Sequence, residues 1–134
     1  MKTSEGFIDS NVALYLVSPE FQKAKIAEDL ILRGGTISAQ VLTEVADVMR
    51  RKFRAPWAAV IEALTALKEN LSVTPVTLET HELGLAIAER YHFRVYDAQL
   101  IAAALKAGCT TFWSEDLHNG QVIEDQLTIR NPFA

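Results

Sequence analysis

Two rhythms of apolar residues alternate along this chain. Short runs at about residues 6–8, 36–38, 73–76, 110–113 and 127–129 read as strands, bounded by turn-forming residues. Between them, apolar positions recur at three- and four-residue steps, the spacing of one helical face. A short helix spans about residues 11–16. Ser18-Pro19 then supplies an N-cap followed by proline at the first helical position, and that helix runs to Arg33, where Gly34-Gly35 stops it. A third helix covers about residues 40–53. Pro56 opens a fourth, whose apolar face carries Trp57, Val60, Ile61, Leu64 and Leu67. Thr77 caps a helix over about residues 78–91, and another, over 96–107, closes at Gly108. Pro75 places its strand at a sheet edge, because proline has no N–H to pair. Strands separated by helices imply parallel pairing through helical crossovers. The expected fold is therefore α/β, a three-layer α/β/α sandwich around a short, mostly parallel sheet.

Four acidic residues stand out against this pattern. Asp9 directly follows the first strand and Asp116 closely follows the run 110–113, beyond the carboxyl ends where open α/β sheets build ligand sites. Asp97 lies near the start of its helix, where it could merely complement the dipole. At 100° per residue, however, it falls between Leu100 and Ile101, with Ala104 on the same line. A charge on the face a helix must bury points to a site. Asp9, in Asp9-Ser10-Asn11, could instead cap the next helix. Asp116 could cap a turn ending at Gly120, and Glu44, at the margin of an apolar face, could be an ordinary surface residue. Two bare carboxylates about 4 Å apart repel by about 4 kcal/mol at an effective dielectric of 20. A converging set therefore requires a cation or protonation, and all-oxygen ligands suit Mg²⁺ or Mn²⁺.

Composition changes this picture little. A chain of 134 residues, 49% hydrophobic and 22% charged, is sized and composed for one globular domain, 1–134. No apolar run approaches the roughly 20 residues of a membrane span. No signal-peptide core precedes the first strand. Cys109 is the single cysteine, so an internal disulfide or thiolate cage cannot form. A cytoplasmic protein is expected. The net charge of −4 argues at first against a nucleic-acid partner. Setting the four acids aside leaves thirteen of seventeen, equal to the thirteen Lys and Arg. Acids that hold a cation also help to hold phosphate, so the total does not exclude RNA.

The four acids and their neighbours resemble the motifs of PIN-domain ribonucleases, in particular VapC-type toxins of type II toxin–antitoxin systems. Phe7-Ile8-Asp9-Ser10-Asn11 matches the first motif, and the stretch from Ser38 through Thr43-Glu44-Val45 matches the second. Tyr96-Asp97-Ala98, with its following Leu100-Ile101-Ala102-Ala103-Ala104, matches the third, and Ser114-Glu115-Asp116 the fourth. The loop after Asp116 departs from the family, which often has a Phe where Leu117-His118-Asn119-Gly120 runs here. The resemblance covers nearly the whole chain. It implies hydrolysis of RNA phosphodiesters by a water activated at Mg²⁺ or Mn²⁺, with Asp9 and Asp97 as principal ligands and Glu44 and Asp116 completing the site. Asn11 and Ser114 would orient carboxylates or substrate. It further implies a cognate antitoxin and a homodimer.

Arg50, Arg51, Lys52 and Arg54 form a basic run at a helix end, favoured there by the dipole and also suited to gripping RNA backbone. His81, His92 and His118 lack metal-ligand spacing, and Cys109 and Trp113 read as core. A response-regulator receiver would need a phospho-accepting Asp after a middle strand and a late Lys, which are missing. A haloacid-dehalogenase-type phosphatase would need Asp at position 11, which is Asn. The alternative of another class is a PIN-like binding module without catalysis.

Overall fold

The computed structural model describes residues 6–134; the stretch before Gly6, read above for a leader, lies outside the described residues. The elements are β1 (Gly6–Ile8), α1 (Ser10–Ala13) with a 3₁₀ turn (Leu14–Val17), α2 (Phe21–Leu32), β2 (Thr36–Ser38), α3 (Ala39–Arg51), α4 (Trp57–Asn70), β3 (Ser72–Thr74), α5 (Leu78–Tyr91), α6 (Val95–Lys106), β4 (Thr111–Trp113), β5 (Val122–Ile123) and β6 (Leu127–Arg130). The six strands form one sheet in the order β3-β2-β1-β4-β6-β5. Every neighbouring pair is parallel except β5 with β6. From β1 the chain winds outward through β2 to β3, then returns to lay β4 on the other side of β1. The order therefore reverses between β1 and β4, and a crevice opens there beyond the carboxyl ends of both strands.

The sheet centre is dry. Phe7 of β1 and Phe112 of β4 are fully buried and stack with ring centroids 5.3 Å apart. Ile37, Ile129, Leu100 and Ile101 complete the same core. Helices α5 and α6 approach closely at Gly84, where an added Cβ would lie 3.1 Å from the Gln99 Cα. Gly35 is needed for two reasons: its φ is +135°, and a Cβ there would sit 2.7 Å from the Gly6 carbonyl oxygen.

Several local expectations hold. The Thr77 hydroxyl accepts the Thr80 N–H at 3.1 Å, and the stop after α2 places Gly34 at φ 89°. Strand β3 lies at the sheet edge, immediately before Pro75. Others need correction. Helix α2 begins at Phe21, so Pro19 stays outside it; Ser18 instead accepts the Glu20 N–H across a tight turn. In α4 only Val60 and Leu67 are fully buried, whereas Trp57 is 61% and Ile61 59% exposed. Helical spacing puts these residues on one face but does not require that face to turn inward. The Arg50 guanidinium lies over the Trp57 ring at 4.4 Å, covering it partly from water. Trp113 is half-buried, and β5 is an element that the pattern of apolar residues does not signal.

Candidate active site

Asp9, Glu44, Asp97 and Asp116 line a single cavity of about 390 Å³ at the switch point, together with Ser10, Asn11, His92, Phe93, Arg94 and Leu117. Each arrives on a different element. The Asp9 N–H pairs with the Trp113 carbonyl at 3.0 Å, which extends the β1–β4 pairing by one residue and aims the side chain over the sheet end. Glu44 comes from the second turn of α3, Asp97 from the first turn of α6, and Asp116 from the loop after β4.

Hydrogen bonds tie three of these acids into one network. Ser114, fully buried, donates from Oγ to Asp9 Oδ2 at 2.9 Å. The Ser10 hydroxyl lies 2.8 Å from Glu44 Oε1 and 3.3 Å from Asp9 Oδ1, bridging the two. Asn11 donates from Nδ2 to Asp116 Oδ2 at 3.1 Å and to Ser114 Oγ at 3.3 Å, while its Oδ1 accepts the Glu115 N–H at 3.4 Å. Asp9 makes no capping bond to α1, and Glu44 is half-buried. Neither bland alternative from the sequence fits.

Burial dominates the electrostatics. Asp9 is only 5% exposed, and its carboxyl is pushed up to about 6 from its ordinary 3.8. Desolvation is the largest cause; the Ser114 hydrogen bond opposes it, and the charges of Asp97 and Glu44 add to it. Asp97, half-buried, is also raised, by burial first; Arg94 works against this and Asp116 with it. Four carboxylates thus face one permanent cation, Arg94, across the cavity.

The donor set fits a hard divalent cation. It is all oxygen, three of its four carboxylates are held by hydrogen bonds, and it is short of positive charge. Among the described residues, no three such side chains close directly on one point as they stand. A hard cation that keeps several of its waters, as Mg²⁺ does, needs only one or two carboxylates directly.

Some contacts here carried no recognisable signal in the sequence. Gln40 bonds Glu44, and His92, in the left-handed conformation at φ 63°, ends α5 so that Phe93 and Arg94 follow along the cavity wall. Below the Asp116 loop, Glu115 accepts from Tyr15 at 2.6 Å and pairs with Lys23, anchoring the loop to α2. The basic run lies elsewhere. Arg50 donates to the Ala55 carbonyl at 2.9 Å and Arg51 pairs with Asp47 at 3.3 Å, while Lys52 borders a groove beside Asn11 and Phe53. Arg54 is exposed and has a φ of 52°. His81 and His118 are exposed, and Cys109 is buried as expected.

Comparison with solved structures shows the same fold in bacterial toxins. A toxin–antitoxin complex from Klebsiella pneumoniae matches at a TM-score of 0.71 and 17% identity, over 96% of this chain and 98% of that one. The sarcin-ricin-loop-cleaving toxin VapC20 of Mycobacterium tuberculosis matches at 0.66 and 21% identity, over 81% and 87%. A DNA-bound VapBC complex from Salmonella typhimurium matches at 0.69 and 14% identity, over 97% and 99%. No curated protein matches in sequence. The sequence model of the PIN domain matches residues 6–120, and this chain belongs to the PIN domain family.

Proposed function

We propose that this protein is a VapC-type toxin, a ribonuclease that hydrolyses RNA phosphodiester bonds with the help of Mg²⁺ or Mn²⁺. PIN domains are nucleases at the family level. The observation that carries the proposal is the meeting of four carboxylates, brought from β1, α3, α6 and the β4 loop, around one cavity at the switch point. In this reading Asp9 and Asp97 hold the cation, and Glu44 and Asp116 complete its shell directly or through waters. Once bound, the ion supplies a water acidic enough to serve as nucleophile near neutral pH and positive charge beside the leaving oxygen.

The chain's own residues do the rest. Ser114 and Ser10 hold the Asp9 carboxylate in one orientation, and Asn11 does the same for Asp116. Arg94, on the cavity wall, is placed to meet a phosphate of the substrate. Lys52 and Arg54 are candidates for more distant backbone contacts. Antitoxin-bound relatives of the same fold support a cognate antitoxin as inhibitor, and a homodimer is the proposed assembly.

Purified protein tests this directly. With Mg²⁺ or Mn²⁺ the wild type should cleave RNA, and Asp97→Asn should not; equal cleavage by both rejects the mechanism. A protein that neither cleaves RNA nor binds Mn²⁺ at this cavity would instead be a PIN-like binding module.

A further inference from the structure

Gln40, near the start of α3, is buried, and both ends of its amide are occupied. Its Nε2 donates to Glu44 Oε2 at 3.3 Å and to the Tyr96 carbonyl at 3.1 Å, while its Oε1 accepts from Gln99 Nε2 at 2.7 Å. A carboxylate and a backbone carbonyl can only accept, so the amide fits one way round. Flipped, its oxygen would face two acceptors. Gln99 is itself held in place, because its backbone lies against α5 at Gly84.

Two consequences meet at this side chain. Ser10 holds one oxygen of Glu44 and Gln40 holds the other, so the carboxylate plane is set from both sides. The same amide grips the carbonyl one residue before Asp97, in the first turn of α6. One group thereby joins the helices that carry Glu44 and Asp97. An aliphatic side chain could fill this volume without the cost of burying an amide. It could not link a carboxylate to the start of a second helix.

We propose that Gln40 is a positioning residue that sets the separation of the Glu44 and Asp97 carboxylates for a hydrated divalent cation, with Gln99 fixing the orientation of its amide. This rests on the metal-dependent reading given above. The test is calorimetric titration of Mn²⁺ alone, without RNA, into wild type, Gln40→Met, Gln99→Met and Asp97→Asn, with thermal unfolding in EDTA alongside.

Gln40→Met should weaken Mn²⁺ binding by about ten-fold or more, the usual loss when a partner of a metal ligand is removed. Gln99→Met should weaken it less, in the same direction. A purely structural role would lower the melting temperature in EDTA and leave Mn²⁺ affinity unchanged, which overturns the inference. If Gln40→Met does not fold, the half-buried Gln99→Met decides, and unchanged affinity there overturns it equally. Wild type that binds no Mn²⁺ overturns the metal-dependent function together with this inference. Binding lost in Asp97→Asn but intact in Gln40→Met overturns this inference alone.

Discussion

The buried carboxyl of Asp9 should make the metal-free protein lose stability as pH rises, and Asp9→Asn should remove that loss. The folded state raises this group from 3.8 to about 6, so between those values the native chain binds more protons than the unfolded one. Stability then falls with increasing pH across that window and is flat above it. At roughly 1.36 kcal/mol per pH unit, the ionised side chain costs the fold about 3 kcal/mol above pH 7. Asparagine has nearly the same shape and no charge; whichever of the Ser10 and Ser114 hydroxyls faces its NH₂ can rotate to accept, while the other still donates to its carbonyl oxygen. Urea unfolding of both proteins in EDTA, from roughly pH 4 to 8, measures the difference, and subtraction cancels titrations common to both. The variant should match the wild type near pH 4 and exceed it by about 3 kcal/mol at pH 7.5. Millimolar Mn²⁺ should close the gap by stabilising only the wild type. Parallel stability curves across the whole range would refute the claim that desolvation controls this group.

Three further outcomes follow from particular contacts. Arg94→Gln should weaken binding of a non-cleavable RNA oligonucleotide and lower the salt slope by about one, as loss of a single phosphate contact does; an unchanged slope in a filter-binding series removes Arg94 from the substrate path. Gly35→Ala should destabilise by about 2 kcal/mol, from a positive φ and a collision with the Gly6 carbonyl, and an unshifted urea midpoint would contradict that. The Cys109 thiol, fully buried and pushed up to about 11 chiefly by burial, should label with a disulfide reagent only as fast as the protein opens; immediate labelling of native protein would refute its burial.

What could be read in advance depended on whether neighbours in sequence carried the information. The helical phase of Asp97 among Leu100, Ile101 and Ala104 is a local property, and it did mark a residue at the cavity. The positions of Asp9 and Asp116 after strands were equally local. Strand β5 carries no local signal because its turn to β6 places Glu124 and Asp125 at positive φ, 52° and 55°. Neither residue is glycine or asparagine, so the usual hairpin signal is missing. Trp57 is exposed although its spacing fits an apolar face, because spacing defines a face without saying what covers it.

Glu44 shows the limit most clearly. Its own helix presents it as an ordinary surface residue; what holds it at the cavity is the hydroxyl of Ser10, 34 positions away, and the amide of Gln40, which in turn rests on α6. The order of residues along the chain determined most of the elements, the α/β class and the acids worth suspecting, because these follow from periodicity and backbone preference. Only the folded chain decided that β4 returns beside β1, and with it that side chains 105 positions apart share hydrogen bonds. Strand pairing and helix packing are chosen by the free energy of burying the whole sheet, a sum over the entire chain that no short window contains.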